Sequence, residues 1–247
     1  KHSTLNKIKE KGELRVGVEP GYMPFEMKDK KGNIIGYDVD MAREMAKQMG
    51  VKLTLVPTAW DGIIAGLITD KYDIIMSGMT ITQQRNLEVN FSDPYIVVGQ
   101  TVLLRNSLAS TIKSAKDLDK PEYTIVTKLG VTGEIATRKF FKKAKIVTFE
   151  TESDATSEVL NGKADAMVYD QPYNVVFMSD KGKDKLVHLD TSLTYEPLGF
   201  AIRKGDPDFL NWLNNFIRQS KEDKVVGFSD ELYNKWLVDT SWLQRVQ

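Results

Sequence analysis

Short apolar runs alternate along this chain with longer segments whose apolar residues recur every three or four positions. In residues 37–49, for example, Val39, Ala42 and Ala46 would share one helical face, and Gly50 would end the helix. In the first third of the chain, these patterns predict helices at residues 5–11, 37–49 and 60–68 and strands at 14–18, 51–56 and 72–76.

The alternation restarts after a long extended run at residues 96–104. It predicts strands at 123–126, 145–149, 164–169 and 187–189, helices at 134–141, 153–160, 207–221 and 229–236, and a second extended run at 198–202. Strands alternating with helices indicate βαβ units and mostly parallel sheets. We therefore predict an α/β fold of two lobes, residues 1–98 plus 198–247 and residues 99–197, with two extended connections and a cleft between them.

Composition narrows the function classes. The 247 residues carry 34 Lys+Arg and 34 Asp+Glu, so nothing indicates a nucleic-acid partner or an anionic membrane surface. Cysteine is absent, and the only histidines are His2 and His188. We therefore expect no disulfide, no cysteine nucleophile, no metal site and no cofactor. No apolar run is long enough to insert into a membrane.

A candidate anion site follows the strand at 72–76. Ser77, Gly78 and Thr80 offer hydroxyl and backbone N–H donors, and Arg85 offers a planar guanidinium that matches a carboxylate. The alternative is that Arg85 is an ordinary surface residue at a helix start and that Thr80 is the N-cap of that helix. The first interpretation predicts capture of a small carboxylic acid.

Two further strand ends carry candidate groups. Residues 130–133, with Val131 and Thr132, lie between a strand and a helix, where free N–H groups can bind an anion. The alternative is an ordinary turn. Asp170 follows another strand and could pair with an ammonium group, or act as the N-cap of the next helix. Ligands of open α/β sheets bind at such carboxyl ends of strands.

Aromatic and charged residues flank these loops. Tyr22 and Trp60 stand in a loop and at a helix start, so each could line a pocket wall or pack in a core. Glu19 ends the first strand, and Lys128 occupies the matching place in the second half. Glu19 is either an acid of the pocket or a solvated loop residue.

At these residues the chain resembles the periplasmic amino-acid-binding proteins of ABC importers, solute-binding protein family 3, near the branch that contains cyclohexadienyl dehydratases. The motifs that carry the resemblance are Leu14-Arg15-Val16-Gly17, Tyr22-Met23-Pro24-Phe25, Gly36-Tyr37-Asp38-Val39-Asp40, Trp60-Asp61-Gly62, Met79-Thr80-Ile81-Thr82 with Arg85, Phe91-Ser92-Asp93-Pro94-Tyr95, Gly162-Lys163-Ala164-Asp165 and Gly199-Phe200-Ala201. The resemblance implies the type II periplasmic-binding-protein fold, two α/β lobes joined by two hinge strands.

The resemblance also implies ligand contacts. Arg85 and Thr132 would bind the α-carboxylate of an amino acid, Asp170 its α-amine, and Gly78 and Thr80 both groups. Tyr22 and Trp60 would enclose the side chain of the ligand, and Glu19 lies where some relatives meet a cationic side chain.

Three residues depart from the family pattern. Val131 stands where a hydroxyl residue is usual, and Tyr173 adds a phenol one turn after Asp170. Lys128 would repel a cationic ligand or cancel the charge of Glu19, which leaves a basic or a polar amino acid as the expected ligand.

The leading hypothesis is a monomeric, extracytoplasmic receptor without catalytic residues, freed of its signal peptide, that closes on an amino acid and delivers it to a membrane ABC permease. The alternative is a cyclohexadienyl dehydratase that acts on prephenate or arogenate, a carbon–oxygen lyase. That reaction needs a general acid, for which the candidates are Glu19, Tyr173 and Glu196. A sensor or channel module of the same architecture is a third class.

Overall fold

The computed structural model describes residues Ser3–Val246 as two compact units. Unit 1 runs up to Val97 and resumes at Pro197, and unit 2 is Val98–Glu196. The predicted α/β class with two sheet-containing lobes is confirmed. The lobe boundaries 1–98 plus 198–247 and 99–197 stay a prediction.

Ten α-helices and fifteen strands are assigned within Ser3–Val246. The helices are α1 (Thr4–Lys11), α2 (Tyr37–Met49), α3 (Trp60–Ile68), α4 (Gln83–Asn86), α5 (Thr132–Phe140), α6 (Glu152–Leu160), α7 (Gln171–Ser179), α8 (Pro207–Glu222), α9 (Ser229–Tyr233) and α10 (Leu243–Val246). The strands are β1 (Glu13–Val18), β2 (Gly21–Tyr22), β3 (Glu26–Lys28), β4 (Ile34–Ile35), β5 (Lys52–Pro57), β6 (Ile74–Ile75), β7 (Asn90–Phe91), β8 (Ile96–Val98), β9 (Gln100–Arg105), β10 (Thr124–Lys128), β11 (Lys145–Phe149), β12 (Ala166–Asp170), β13 (Leu186–Leu189), β14 (Glu196–Leu198) and β15 (Ala201–Ile202). None of these helices is long and apolar enough to cross a membrane.

The main sheet of unit 1 has the strand order β5-β1-β6-β15-β7. Strand β1 is parallel to both β5 and β6, with Gly17 opposite Ile75. The carboxyl ends of β1 and β6 therefore meet at one edge of the sheet. Buried apolar side chains of α3 and β6, including Ile63, Leu67 and Ile75, form a core against it. This core fixes the strand ends that carry Glu19 and Ser77.

The sheet of unit 2 repeats the plan in the order β11-β10-β12-β9-β13. Strand β10 is parallel to β11 and β12, whereas β9 is antiparallel to β12. The buried side chains of Val126, Met167 and Leu103 come from three adjacent strands and share one core. The register places the ends of β10 and β12 together, which brings Lys128 to the same edge as Asp170.

The extended run predicted at 96–104 is divided into β8 and β9 by Gly99. A Cβ atom at Gly99 would lie 1.9 Å from Ser192 Oγ and 2.6 Å from the carbonyl oxygen of Thr194, so only glycine fits there. The run predicted at 198–202 is likewise divided, into β14 and β15. Strands β8 and β14 pair with each other.

The last predicted helix, at 229–236, is also different in the structure. It ends as an α-helix at Tyr233 and continues as a π-helical turn, Asn234–Val238. Trp236 is buried in this turn, and its indole N–H donates to Asp40 Oδ2 at 2.9 Å. This hydrogen bond anchors the turn to α2.

We predict that Gly99→Ala lowers the free energy of unfolding by about 1–3 kcal/mol, because the added methyl overlaps Ser192 and a backbone carbonyl. Urea denaturation measures the effect. The matched control is Gly62→Ala in α3, where a Cβ atom meets nothing within 4 Å and alanine favours the helix. Equal denaturation midpoints for Gly99→Ala and the wild type would contradict the prediction.

Candidate functional site

The first group of candidate residues lies where β1 and β6 end side by side. The backbone N–H of Glu19 donates to Ser77 Oγ at 2.8 Å. Ser77 is only 1% exposed, so its hydroxyl joins the two strand ends. A direct contact of Ser77 with a ligand stays a prediction. The hydrogen bond holds the loop after β6 beside Glu19.

Gly78 is placed by two constraints in this loop. Its φ of +56° is in the left-handed region, and a Cβ atom would lie 2.9 Å from the ring of Tyr22. Its N–H donates to Asp38 Oδ2 at 2.7 Å. The expectation of a free N–H at Gly78 is therefore wrong, because a buried side chain takes that hydrogen bond. A ligand contact of Gly78 would use its carbonyl oxygen.

Arg85 lies half-buried in α4. Its Nη1 donates to the carbonyl oxygen of Thr80 at 2.8 Å, and its guanidinium lies 5.5 Å from the ring centroid of Trp60. Burial lowers the pKa of Arg85, but a guanidinium stays charged at every physiological pH. No salt bridge to Arg85 occurs between Ser3 and Val246. Its positive charge is thus available to an anion.

The N-cap of α4 is Thr82, whose hydroxyl accepts the N–H of Arg85 at 3.1 Å. The alternative in which Thr80 caps this helix is therefore wrong. Thr80 instead pairs with Leu198 in an isolated antiparallel bridge. This bridge leaves the Thr80 carbonyl to hold the guanidinium of Arg85.

The structure thus brings the seven predicted residues of unit 1 together. Glu19 contacts Ser77, Tyr22 packs on Gly78, and Arg85 joins Thr80 to Trp60. The side chain of Trp60 is 38% exposed at the first residue of α3, which is unusual for so large an apolar group. Unit 1 therefore carries a positive charge beside an exposed aromatic face.

The second group lies in unit 2, around the amino end of α5. Val131 is the N-cap position and Thr132 the first helical residue, so the first backbone N–H groups of α5 point away from the helix. The Gly130 N–H is not free, because it donates to Glu134 Oε1 at 2.9 Å. The predicted anion-binding N–H groups are thus restricted to the segment that begins at Val131.

Lys128 forms a salt bridge with Glu152, with Nζ and Oε2 at 3.0 Å. The pKa of the Glu152 carboxyl is lowered by its own backbone N–H and by Lys128. From the sequence, we expected Lys128 to repel a cationic ligand or to cancel the charge of Glu19. The structure shows that a residue of its own unit balances the charge.

Asp170 ends β12 and occupies the N-cap position of α7, but its side chain makes no capping hydrogen bond. Its Oδ1 instead accepts a hydrogen bond from Nε2 of the buried Gln100, at 2.5 Å. A Cβ atom on Gly133 would lie 2.9 Å from Gln100 Oε1, so Gln100 also contacts the first turn of α5. Gln100 therefore connects Asp170 to the Thr132 segment.

Tyr173 packs within unit 2. Its ring meets the edge of Tyr169 at 4.9 Å and stacks on Phe177, and its hydroxyl lies 3.4 Å from Thr156 Oγ1. Burial raises the pKa of Tyr173, and the hydrogen bond with Thr156 opposes this shift only in part. The phenol is therefore a neutral group of unit 2.

Four residues that support the site were missing from the sequence-based set. Glu26 and Asp38 are fully buried near Gly78, Gln100 holds Asp170, and Glu152 balances Lys128. Asp38 lies in a motif that the sequence displays, but its bond to Gly78 spans 40 positions. Such long-range partners have no signature in local patterning.

Comparison with known proteins identifies the family of the chain. Residues 14–239 match the family described as bacterial extracellular solute-binding proteins, family 3. The L-cystine-binding protein TcyJ of Escherichia coli K12 is 31% identical over 232 residues, which cover 94% of this chain and 85% of that protein.

Solved structures are also similar. A putative binding component of an ABC transporter from Wolinella succinogenes, complexed with lysine, is 66% identical with a TM-score of 0.71, over 94% of this chain and 99% of that one. An ancestral cationic amino acid solute-binding protein is 50% identical with a TM-score of 0.79, over 95% and 100% of the two chains. A second structure of that ancestor, which is named as a precursor of cyclohexadienyl dehydratase, is 49% identical with a TM-score of 0.65. The match covers 96% of this chain and 100% of that one.

Proposed function

The chain belongs to the bacterial extracellular solute-binding proteins of family 3, and we propose that it captures an L-amino acid with a positively charged side chain, such as lysine or arginine. The observation that carries the proposal is Arg85, a half-buried guanidinium that is held against Trp60 and Thr80 with no carboxylate partner within residues 3–246. Such a group is suited to the α-carboxylate of a ligand.

The α-amine of the ligand requires a negative charge, which Asp170 of unit 2 supplies. Gln100 orients this carboxylate, and no Lys, Arg or His lies in salt-bridge range of it in the described part of the chain. With the Thr132 segment as a second donor to the α-carboxylate, these groups match an amino-acid zwitterion. No nucleophile is needed for binding.

Three features of the two units support a cationic side chain. Glu19 lies beside the loop of Ser77 and has no salt-bridge partner among the residues that the structure describes. The charge of Lys128 is balanced by Glu152, so it does not oppose a cation. Trp60 and Tyr22 offer aromatic faces of the kind that stack on alkyl ammonium and guanidinium groups. The lysine complex of the Wolinella protein supports the same ligand class.

Delivery of the bound amino acid to a membrane ABC permease is part of this proposal, as are the monomeric state and the prior removal of a signal peptide. The dehydratase alternative has weaker candidates in the structure. Tyr173 is a phenol engaged with Thr156, and Glu196 accepts from Thr194 Oγ1 at 2.6 Å, with Gln100 Nε2 at 3.5 Å. Both of these groups are already engaged, and the third candidate, Glu19, is assigned in this proposal to the cationic side chain of the ligand.

Isothermal titration calorimetry against lysine, arginine, glutamine, cystine and glutamate tests the proposal. We expect lysine or arginine to bind at least tenfold more tightly than the neutral and acidic ligands. Preference for glutamine or cystine would overturn the cationic assignment. Formation of phenylpyruvate from prephenate, lost in Arg85→Ala, would replace it with the dehydratase function.

We predict that Asp170→Asn weakens lysine binding by roughly 10- to 100-fold, since a charged hydrogen bond contributes about 1.5–3 kcal/mol. The control ligand is 6-aminohexanoate, which is lysine without its α-amine and should lose little affinity. Calorimetry with both ligands measures the difference. An equal loss for the two compounds would refute the amine-binding role of Asp170.

Glu152→Gln leaves Lys128 without its partner. We expect this variant to bind lysine several-fold more weakly at low salt, and the deficit to shrink at high salt as the charge is screened. Norleucine, which lacks the ε-ammonium group, serves as the neutral control ligand. An unchanged ratio of lysine to norleucine affinity would show that Lys128 is too far from the ligand to matter.

A further inference from the structure

Two buried carboxyl groups of unit 1 have no place in the proposed ligand site. Glu26 on β3 and Asp38 on α2 are both 0% exposed, which is rare for acids unless they are paired. Their positions converge on Gly78. Asp38 accepts the Gly78 N–H at 2.7 Å, and a Cβ atom on Gly78 would lie 3.3 Å from Glu26 Oε1.

No cation in the described part of the chain forms an ion pair with either acid. Neither forms a salt bridge within Ser3–Val246, and the titratable groups that face them are Glu19, Tyr95 and, beyond these, Tyr37. Within Ser3–Val246, Oε1 and Oε2 of Glu26 and Oδ1 of Asp38 are buried without a hydrogen bond of good geometry, and the hydroxyls that lie near the two acids are those of Ser77 and Tyr95. Two adjacent buried negative charges that share so few donors are too costly to persist. One proton on the pair removes the second charge and supplies a donor.

The surroundings decide which acid holds this proton. Burial, and next the negative charge of Asp38, raise the pKa of Glu26 well above its usual value. Burial also raises the pKa of Asp38, but hydrogen bonds from Glu26, Tyr95 and the Gly78 N–H oppose that shift. A backbone N–H favours the charged form of the acid that accepts it. Asp38 is therefore the carboxylate, and Glu26 is the protonated acid.

We propose that Glu26 stays protonated at neutral pH and donates a hydrogen bond to the Asp38 carboxylate, and that this pair is a positioning device that holds Gly78 for ligand binding. The second half of the proposal rests on the function proposed above. With Asp38 anchored by Glu26, the Gly78 N–H has a fixed acceptor, and the loop that leads from Ser77 to Thr80 keeps its shape. Loss of the proton would place a second charge beneath Gly78 and push the two acids apart.

The sign of the pH effect follows from the raised pKa of Glu26. The folded protein binds this proton more tightly than the unfolded chain, so its stabilising contribution is complete below the ordinary glutamate pKa. It is lost as the pH rises towards the raised value. Affinity for the ligand should fall in the same direction as the Gly78 loop loses its anchor.

The decisive variant is Glu26→Gln, which keeps the shape and a donor to Asp38 but cannot titrate. The matched control is Glu10→Gln on the exposed surface of α1. The first measurement is ¹³C NMR of protein labelled at the glutamate side-chain carboxyl. We expect one glutamate resonance at the protonated position at pH 7, absent in Glu26→Gln and present in Glu10→Gln. The absence of such a resonance from the wild type would overturn the proposal.

The second measurement is the pH profile of urea denaturation and of lysine binding from pH 6 to 8.5. The free energy of unfolding of Glu26→Gln should depend on pH less steeply than that of the wild type, by the contribution of one titrating group. At pH 6 the lysine affinity of the variant should lie within about twofold of the wild-type affinity. A tenfold loss of lysine affinity in Glu26→Gln at pH 6, in a folded protein, would overturn the positioning role. If neither protein binds lysine, the proposed ligand is wrong, and the NMR signal still tests the shared proton.

Discussion

The hydrogen bond from the Gly78 backbone to Asp38 is the contact on which the candidate site of unit 1 depends. It joins the loop after β6 to helix α2, while the Glu19–Ser77 bond joins the same loop to β1. The first contact is buried and the second is partly buried, and together they hold the loop where Tyr22 can pack against it. Arg85 and Trp60 extend the arrangement from the next helix and from α3.

Charge balance distinguishes Lys128 of unit 2 from the other charged candidate residues. Lys128 is paired with Glu152, whereas Arg85, Glu19 and Asp170 have no salt bridges in the described residues. Among the charged candidate residues, those without a salt bridge within Ser3–Val246 are thus one cation, Arg85, and two anions, Glu19 and Asp170. The ligand proposed above, with one carboxylate and two positive groups, carries the opposite charges. The charge that each candidate residue can offer to a ligand therefore depends on whether a salt bridge already neutralises it.

Much of the fold was predictable from periodicity. Helix α2 with its stop at Gly50, helix α3 and strand β11 lie where the apolar spacing places them. The errors fall where tertiary contacts override spacing: one extended run is divided at Gly99, where a Cβ atom would overlap Ser192. Within the site, Arg85 and Asp170 were predictable as charged residues near strand ends. Their hydrogen bonds with Thr80 and Gln100 depend on three-dimensional packing and were not predictable from local sequence.

The sequence by itself determined the alternation of strands and helices, the absence of cysteine chemistry and the motifs that identify the family, because these depend only on residue type and spacing. The tertiary structure decided which polar and charged groups already have a partner within the protein. It commits the Gly78 N–H to Asp38, balances Lys128 with Glu152 and buries Glu26 beside Asp38. These choices depend on distances between residues far apart in the chain, and burial sets what each charge costs.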